Sequence, residues 1–309
     1  MRKFALIGLA GYIAPRHLKA IKETNNILVA GLDPCDSVGI IDSYFPEADF
    51  FVEYERFDRH LDKLRRQKQG VDFVTICSPN YLHDAHIRFA LRQEAHAICE
   101  KPLVLNPWNA DALIDLQKEF DKKIYTVLQL RLHPAIIQLK NTINKNKIYD
   151  VDLAYITCRG RWYDYSWKGE ESKSGGIATN IGIHFFDMLT WIFGDLIDSK
   201  VFVREQHKMA GFLQLKNANV RWFLSIDYQD LPSEIRQKGQ HTYRSINIDN
   251  SEFEFSNGFA DLHTETYRQI MNGNGFGPEE AKSSIDIVYK IRNQALSDNG
   301  DYHPLMKKH

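Results

Sequence analysis

The stretch Phe4-Ala-Leu-Ile-Gly8-Leu-Ala-Gly11-Tyr12-Ile13-Ala14 decides how the first part of the chain folds. A short apolar run enters two glycines spaced three apart and leaves into residues 15–23, whose apolar side chains recur at helical spacing. Strand, tight glycine turn and helix N-terminus in that order suit a pyrophosphate: glycine lets backbone amides come close, and the helix end favours negative charge. The spacing is G-x-x-G-x-x-A rather than G-x-G-x-x-G, so taken alone it also fits a plain tight turn. A second apolar run, 27–32, ends in Asp33. A carboxylate there would accept hydrogen bonds from ribose hydroxyls and repel a 2′-phosphate, which favours NAD over NADP. A strand-end turn former before Pro34 is the plainer reading.

Outward from this unit the rhythm repeats. Apolar runs at 73–77, 96–99 and 124–128 alternate with helix-length segments at 55–67, 83–92 and 109–120, the βαβ pattern of a parallel sheet covered on both faces. After about residue 130 the texture changes. Helical segments are expected at 134–144 and 182–193, then half-exposed strands at 151–159, 200–204, 211–215, 220–227, 245–248 and 252–255, with turns at 217–219 and 249–250. Two helices, 262–271 and 278–295, close the chain. The expected fold is α/β: a dinucleotide-binding Rossmann domain over 1–125, then a substrate-binding and oligomerisation α/β domain over 126–309 with an open, mostly antiparallel sheet.

Composition narrows the functions. With 309 residues, 43% hydrophobic and 26% charged, there is material for a large core. Lys+Arg number 39 against 40 Asp+Glu, for a net charge of -1, so no footprint for nucleic acid or an anionic membrane shows. No apolar run is long enough to span a bilayer, and Met1-Arg-Lys leads directly into a strand-like run without a secretion signal. Cys35, Cys77, Cys99 and Cys158 form no C-x-x-C pair, which suits reduced thiols in the cytoplasm better than a disulfide or metal framework. No metal site is expected.

Two further segments fall at carboxyl ends of parallel strands, the edge where such sheets bind ligands. They are Cys77-Ser78-Pro-Asn80-Tyr-Leu-His83 and Cys99-Glu100-Lys101-Pro102. Together with Gly8–Ala14 they resemble the N-terminal domain of the glucose-fructose oxidoreductase, inositol dehydrogenase and MocA (Gfo/Idh/MocA) family of nicotinamide-dependent sugar oxidoreductases. The resemblance implies that NAD is held by Gly8, Gly11, Tyr12, Ile13, Asp33, Ser78, Asn80, His83, Glu100 and Lys101, with Lys101 beside the nicotinamide. Gln129 and Arg131, after the last strand of the first domain, are further candidates for cofactor contact, in this subunit or a neighbouring one.

In the second domain Asn180-Ile-Gly-Ile-His184 opens a helix, with Asn180 expected as its cap and His184 one turn inside. A histidine on an apolar helix face is often a satisfied core residue. The family, however, carries an acid and a histidine at these two positions. Asn180 can place a hydroxyl but cannot accept its proton, so base duty falls to His184 with Lys101 as polarising partner or relay. Arg159-Gly-Arg-Trp-Tyr163 and Tyr165-Ser-Trp167-Lys168 bring cations and rings into one loop, suited to an anionic sugar nucleotide or, more simply, packed on the core. Tyr163, Trp167, Lys168 and Thr179 complete the substrate candidates.

One branch fits better than the rest. Gly8–His17, 36–42, 77–83, 167–169, 178–182 and 242–245 resemble the branch that oxidises the 3-hydroxyl of UDP-N-acetylglucosamine uronate ahead of a transaminase in bacterial surface-polysaccharide pathways. That implies a dehydrogenase using NAD, a UDP-sugar uronate substrate, a homotetramer and functional coupling to an aminotransferase. A sibling oxidoreductase of a free sugar or inositol, and a non-catalytic NAD-binding regulator, are the alternatives. Nothing in the residues tells how NADH is reoxidised, whether by a 2-oxo acid or otherwise.

Overall fold

The computed structural model describes residues 1–255 and 261–308. Contacts divide the chain into two units: residues 1–132 with 261–282, and residues 133–255 with 283–308.

In the first unit, β1 (Lys3–Ile7), β2 (Ile27–Leu32), β3 (Asp49–Phe51), β4 (Phe73–Ile76), β5 (His96–Cys99) and β6 (Ile124–Thr126) form one sheet in the order β3-β2-β1-β4-β5-β6, all parallel. Strand order reverses between β1 and β4, and the crevice at their carboxyl ends is where doubly wound sheets take a dinucleotide. β1, β4 and β5 are almost wholly buried, as their continuous apolar runs require. Helices Ala14–Glu23, Tyr54–Arg66, His83–Arg92 and Pro107–Glu119 make the crossovers. β3 was not expected: its three residues are exposed or half-buried, too short for a periodic signal.

The division differs from a cut at residue 125. Helix Leu262–Met271 places Tyr267, fully buried, and Ile270 in the same core as Phe4, Leu18, Ile21 and Phe73, with the Tyr267 ring stacked 5.8 Å from that of Phe4. The first unit is therefore completed by a segment distant in sequence, and residues 126–132 also belong to it.

In the second unit, β7 (Tyr149–Thr157), β8 (Leu196–Arg204), β9 (Lys208–Leu215), β10 (Ala218–Ser225), β11 (Thr242–Ile248) and β12 (Ser251–Glu252) form a sheet in the order β12-β11-β7-β10-β9-β8. Among the described residues only the β7–β10 pair of this sheet is parallel, so the expected mostly antiparallel sheet is found. Helix Ile183–Phe193 packs Phe186 edge-on against buried Trp222 of β10, ring centroids 5.4 Å apart. Asp249 and Asn250 have φ of 51° and 65°, the left-handed pair of a tight hairpin, as expected at that turn. The β9–β10 turn falls at 216–217 rather than 217–219, and β12 stops at Glu252. Among the described residues no helix is long and apolar enough to cross a membrane, and all four cysteines are free thiols.

Candidate active site

The glycine turn has the shape its sequence implies. Gly8 has φ +90°, and a Cβ there would lie 2.5 Å from the carbonyl carbon of Cys77, so only glycine lets β1 and β4 end side by side. At Gly11 a Cβ would meet the Gly8 carbonyl oxygen at 3.0 Å. The helix after it starts at Ala14 with Ile13 at its N-cap position, and Tyr12 stands 89% exposed. Asp33 closes the far side: one carboxylate oxygen accepts the Ala10 amide at 2.9 Å and the other the Cys35 amide at 2.9 Å. These bonds aim the carboxylate and leave lone pairs for ribose hydroxyls. A cradle that a single methyl would fill, with an aimed acid at its rim, fits a dinucleotide.

At the β4 end, Ser78 Oγ pairs with His86 Nδ1 at 2.8 Å, Asn80 is buried, and His83 lies between the Ser78 and Pro102 carbonyls. Burial pushes the His86 imidazole down to about 4, which keeps it neutral.

The β5 end carries a network that the sequence does not announce. Glu100 Oε1 accepts from His17 Nε2 at 3.0 Å and from His263 Nε2 at 2.9 Å, and Oε2 accepts the Lys101 amide at 3.3 Å. The Tyr267 hydroxyl pairs with His17 Nδ1 at 2.9 Å and with Thr75 Oγ1 at 2.8 Å. One proton order satisfies these four contacts: Thr75 donates to Tyr267, Tyr267 to His17, and both histidines to an ionised Glu100. Burial alone would push the Glu100 carboxyl up. The two imidazole bonds outweigh it and hold the group well below the usual carboxylate range. Burial likewise lowers His17, against the pull of Glu100. The three ligand atoms lie within 4.8 Å of one another, a set a cation could use, yet the proton order accounts for each without one. Lys101 follows directly, half-buried and joined to Pro102 by a cis bond.

Gln129 and Arg131 diverge. The Gln129 amide oxygen is buried without a hydrogen-bond partner, whereas the Arg131 guanidinium donates to the Glu280 carbonyl at 2.9 Å and lies over the Phe276 ring. Arg131 thus braces its own unit.

In the second unit the chain leaves β7 through exposed Arg159 into a short helix, Trp162–Tyr165. Asn180 is not a helix cap. It lies inside a π-turn, Ala178–Gly182, and its side-chain amide donates to the Tyr163 hydroxyl at 2.9 Å. Gly182 takes the N-cap position and His184 is the second helical residue, half-buried, rather than one turn in. The cap reading fails because five residues coil more widely than an α-turn, carrying Asn180 off the helix end. Lys168 Nζ sits 4.6 Å from the Trp167 ring centroid and 5.5 Å from that of Trp162. Burial, then the positive Arg159, lower its pKa, so an arriving anion would be welcome. Tyr163 is pushed up by burial. Thr179 is buried against Gly175, whose φ is +78° and whose Cβ would touch the Thr179 side chain at 2.6 Å. A cleft of about 300 Å³ adjoins, lined by Tyr163, Lys168, Glu171, Gly175, Arg204 and Arg292. The last two cations went unnoticed in the sequence because each lies on an ordinary amphipathic element.

The family model described as an oxidoreductase family NAD-binding Rossmann fold matches residues 2–128, and that of the same family's C-terminal alpha/beta domain matches residues 140–230. The chain belongs to the Gfo/Idh/MocA oxidoreductase family. Its first unit carries that family's NAD-binding Rossmann fold, with NAD as the cofactor, in line with Asp33 and the Gly8 turn. Two solved structures of the WlbA (WbpB) dehydrogenase from Thermus thermophilus are similar to it throughout. One, in complex with NAD and alpha-ketoglutarate, is 52% identical over 98% of this chain and 99% of that one, with TM-score 0.96. The other, with NAD and UDP-GlcNAcA, is 51% identical with the same coverage and TM-score 0.95. The glucose-6-phosphate 3-dehydrogenase of Bacillus subtilis is 23% identical over 77% of this chain, and the match spans 65% of that relative's length.

Proposed function

We propose that this Gfo/Idh/MocA oxidoreductase oxidises the 3-hydroxyl of UDP-N-acetyl-2-amino-2-deoxy-D-glucuronate to a ketone. The observation that carries this reading is the full-length likeness, at 51% identity, to a dehydrogenase solved with NAD and UDP-GlcNAcA. When bound, NAD accepts the hydride. The chain supplies placement and proton handling. His184 takes the hydroxyl proton, since Asn180, an amide, has no basic group at this position. The Lys101 ammonium stabilises charge that develops on the oxygen. Arg159 holds the uronate carboxylate through two parallel hydrogen bonds and Lys168 the diphosphate, while Tyr163, Trp167, Thr179 and Asn180 shape the sugar site.

Gly8, Gly11, Tyr12, Ile13, Asp33, Ser78, Asn80, His83, Glu100, Lys101 and Gln129 belong to the cofactor side of this reading. A 2-oxo acid as the acceptor that regenerates NAD is a second step, favoured by the relative solved with alpha-ketoglutarate and by the same cations, which would take its carboxylates. We further infer a homotetramer working in the cytoplasm, where four free thiols stay reduced, with its keto product passed to an aminotransferase.

The test is NADH formation from NAD with UDP-GlcNAcA, UDP-GlcNAc, glucose 6-phosphate and myo-inositol in parallel. The uronate should turn over fastest. Arg159→Ala should reduce kcat/KM for the uronate by about 10- to 150-fold, the worth of one charge-assisted contact, and leave UDP-GlcNAc nearly unchanged. Faster turnover of a free sugar than of the UDP-uronate would overturn the reading.

A further inference from the structure

Both ring nitrogens of His83 face carbonyl oxygens. Nδ1 lies 2.7 Å from the Pro102 oxygen and Nε2 lies 2.8 Å from the Ser78 oxygen, with the residue 1% exposed. A neutral imidazole carries one N–H and one lone pair. In either tautomer, then, one nitrogen would set a lone pair against a carbonyl oxygen with no proton between them. Turning the ring over does not resolve this. It would put carbons in place of the nitrogens, and carbon–oxygen contacts settle at about 3.3–3.6 Å even when they act as weak hydrogen bonds. Only a ring with a proton on each nitrogen satisfies both carbonyls.

The two oxygens belong to different strand ends. Ser78 lies just beyond β4, and Pro102 follows Lys101 beyond β5. The titratable groups facing the ring are Glu100 and Lys101 from the β5 end and His86 on its own helix. Burial pushes the His83 imidazole down, and the two carbonyls and Glu100 pull it up against Lys101. The contact geometry decides for the charged form, and Glu100, kept ionised by its bonds to His17 and His263, is the negative group nearby.

We propose that His83 is held as an imidazolium, with Glu100 as its counterion, and that its two N–H groups tie the β4 and β5 ends together, making it a positioning residue for Lys101. The protonation follows from geometry alone; the consequence for turnover rests on the reading of Lys101 as a catalytic cation. Loss of one proton would release one carbonyl, and the Lys101–Pro102 segment would lose its tie to β4.

Neutron diffraction from crystals of the full chain with NAD, at about pH 7.5, tests the first part without any substitution. Deuterium on both His83 nitrogens is expected, and a single deuteron overturns the proposal. Glu100→Gln removes the counterion and touches neither carbonyl, so one deuteron is expected there; two would overturn the role of Glu100. The second part is read from His83→Gln, whose single amide cannot donate in both directions. Its kcat, measured at saturating NAD, should fall about 10-fold or more, a loss that further cofactor does not restore. Unchanged kcat overturns the positioning role. If that variant does not fold, Glu100→Gln serves in its place, with the same loss of kcat at saturating NAD expected. Should Lys101→Ala keep wild-type kcat, the reading of Lys101 fails and the deuteron count still stands.

Discussion

Asp33 is aimed by its own backbone before any ligand arrives, with one oxygen on the Ala10 amide and the other on the Cys35 amide. Its remaining lone pairs are what a ribose diol would use. Asp33→Ala should therefore weaken NAD binding by about 1.5–3 kcal/mol and raise the NADP-to-NAD ratio of kcat/KM. Titrating both cofactors into wild type and variant measures this, and comparable wild-type kcat/KM for NADP would end the argument. Lys101→Ala and His184→Ala should each lower kcat by about 100-fold or more with folding and NAD affinity nearly intact. Wild-type kcat in His184→Ala would take the histidine out of the mechanism. At this scale the sequence was legible wherever a residue sits next to a strand end: the places of Asp33, Ser78 and Lys101 just beyond β2, β4 and β5 follow from the apolar runs before them. The Glu100 network was not. Helical spacing marks His17 as inward-facing, but its partners stand 83 and 250 residues away, and no local pattern encodes that meeting.

Between residues 157 and 183 the elements are short, and there the sequence speaks least. The Trp162–Tyr165 helix is a single turn, and Ala178–Gly182 is a π-turn; neither is long enough to impose a period. The crowding of cations and rings was readable as composition. The join between the two segments was not, because the Asn180–Tyr163 bond depends on a wide turn that Asn180 itself does not signal. That join gives a prediction. Tyr163→Phe keeps the buried ring and removes the hydroxyl that receives the Asn180 amide. Stability should drop by about 1 kcal/mol, the net worth of one such hydrogen bond. KM for the UDP-sugar should rise more than kcat falls, if Asn180 places a hydroxyl in the bound state. Denaturant melts and initial rates on the same preparation separate the two effects, and an unchanged KM would confine Tyr163 to packing. Strands in the same unit were expected, since alternation is hard to mistake, but β8, β9 and β11 begin three or four residues earlier than expected.

At the scale of the molecule, the first unit draws one of its largest buried side chains, Tyr267, from beyond residue 260. Sequence order suggested a single cut because apolar periodicity shows that a helix has an inward face but not which core receives it. The buried histidines set a further property of the whole chain. His17 Nδ1 faces the Tyr267 hydroxyl, His86 Nδ1 faces Ser78, and His303 Nδ1 accepts the Leu305 amide at 3.1 Å. These contacts suit neutral rings, and burial lowers all three pKa values, His86 and His303 to about 4. In the unfolded chain each would take a proton near pH 6.5. Folded-state values below unfolded ones mean that the stability these three rings contribute is full above about pH 6.5 and is lost as pH falls toward about 4. Each unmatched proton steepens the loss by about 1.4 kcal/mol per pH unit, so three together approach about 4 kcal/mol per unit. Glu100, held low by its histidines, adds to the loss only once the pH drops below the ordinary carboxylate range. Urea midpoints at about pH 7.5, 6 and 5 should fall steadily, and His303→Gln, which cannot titrate, should flatten the slope by roughly a third. A midpoint that does not move between pH 7.5 and 5 would show that these rings take up protons in the fold as readily as in the unfolded chain, and the neutral network around Glu100 would have to be abandoned with them.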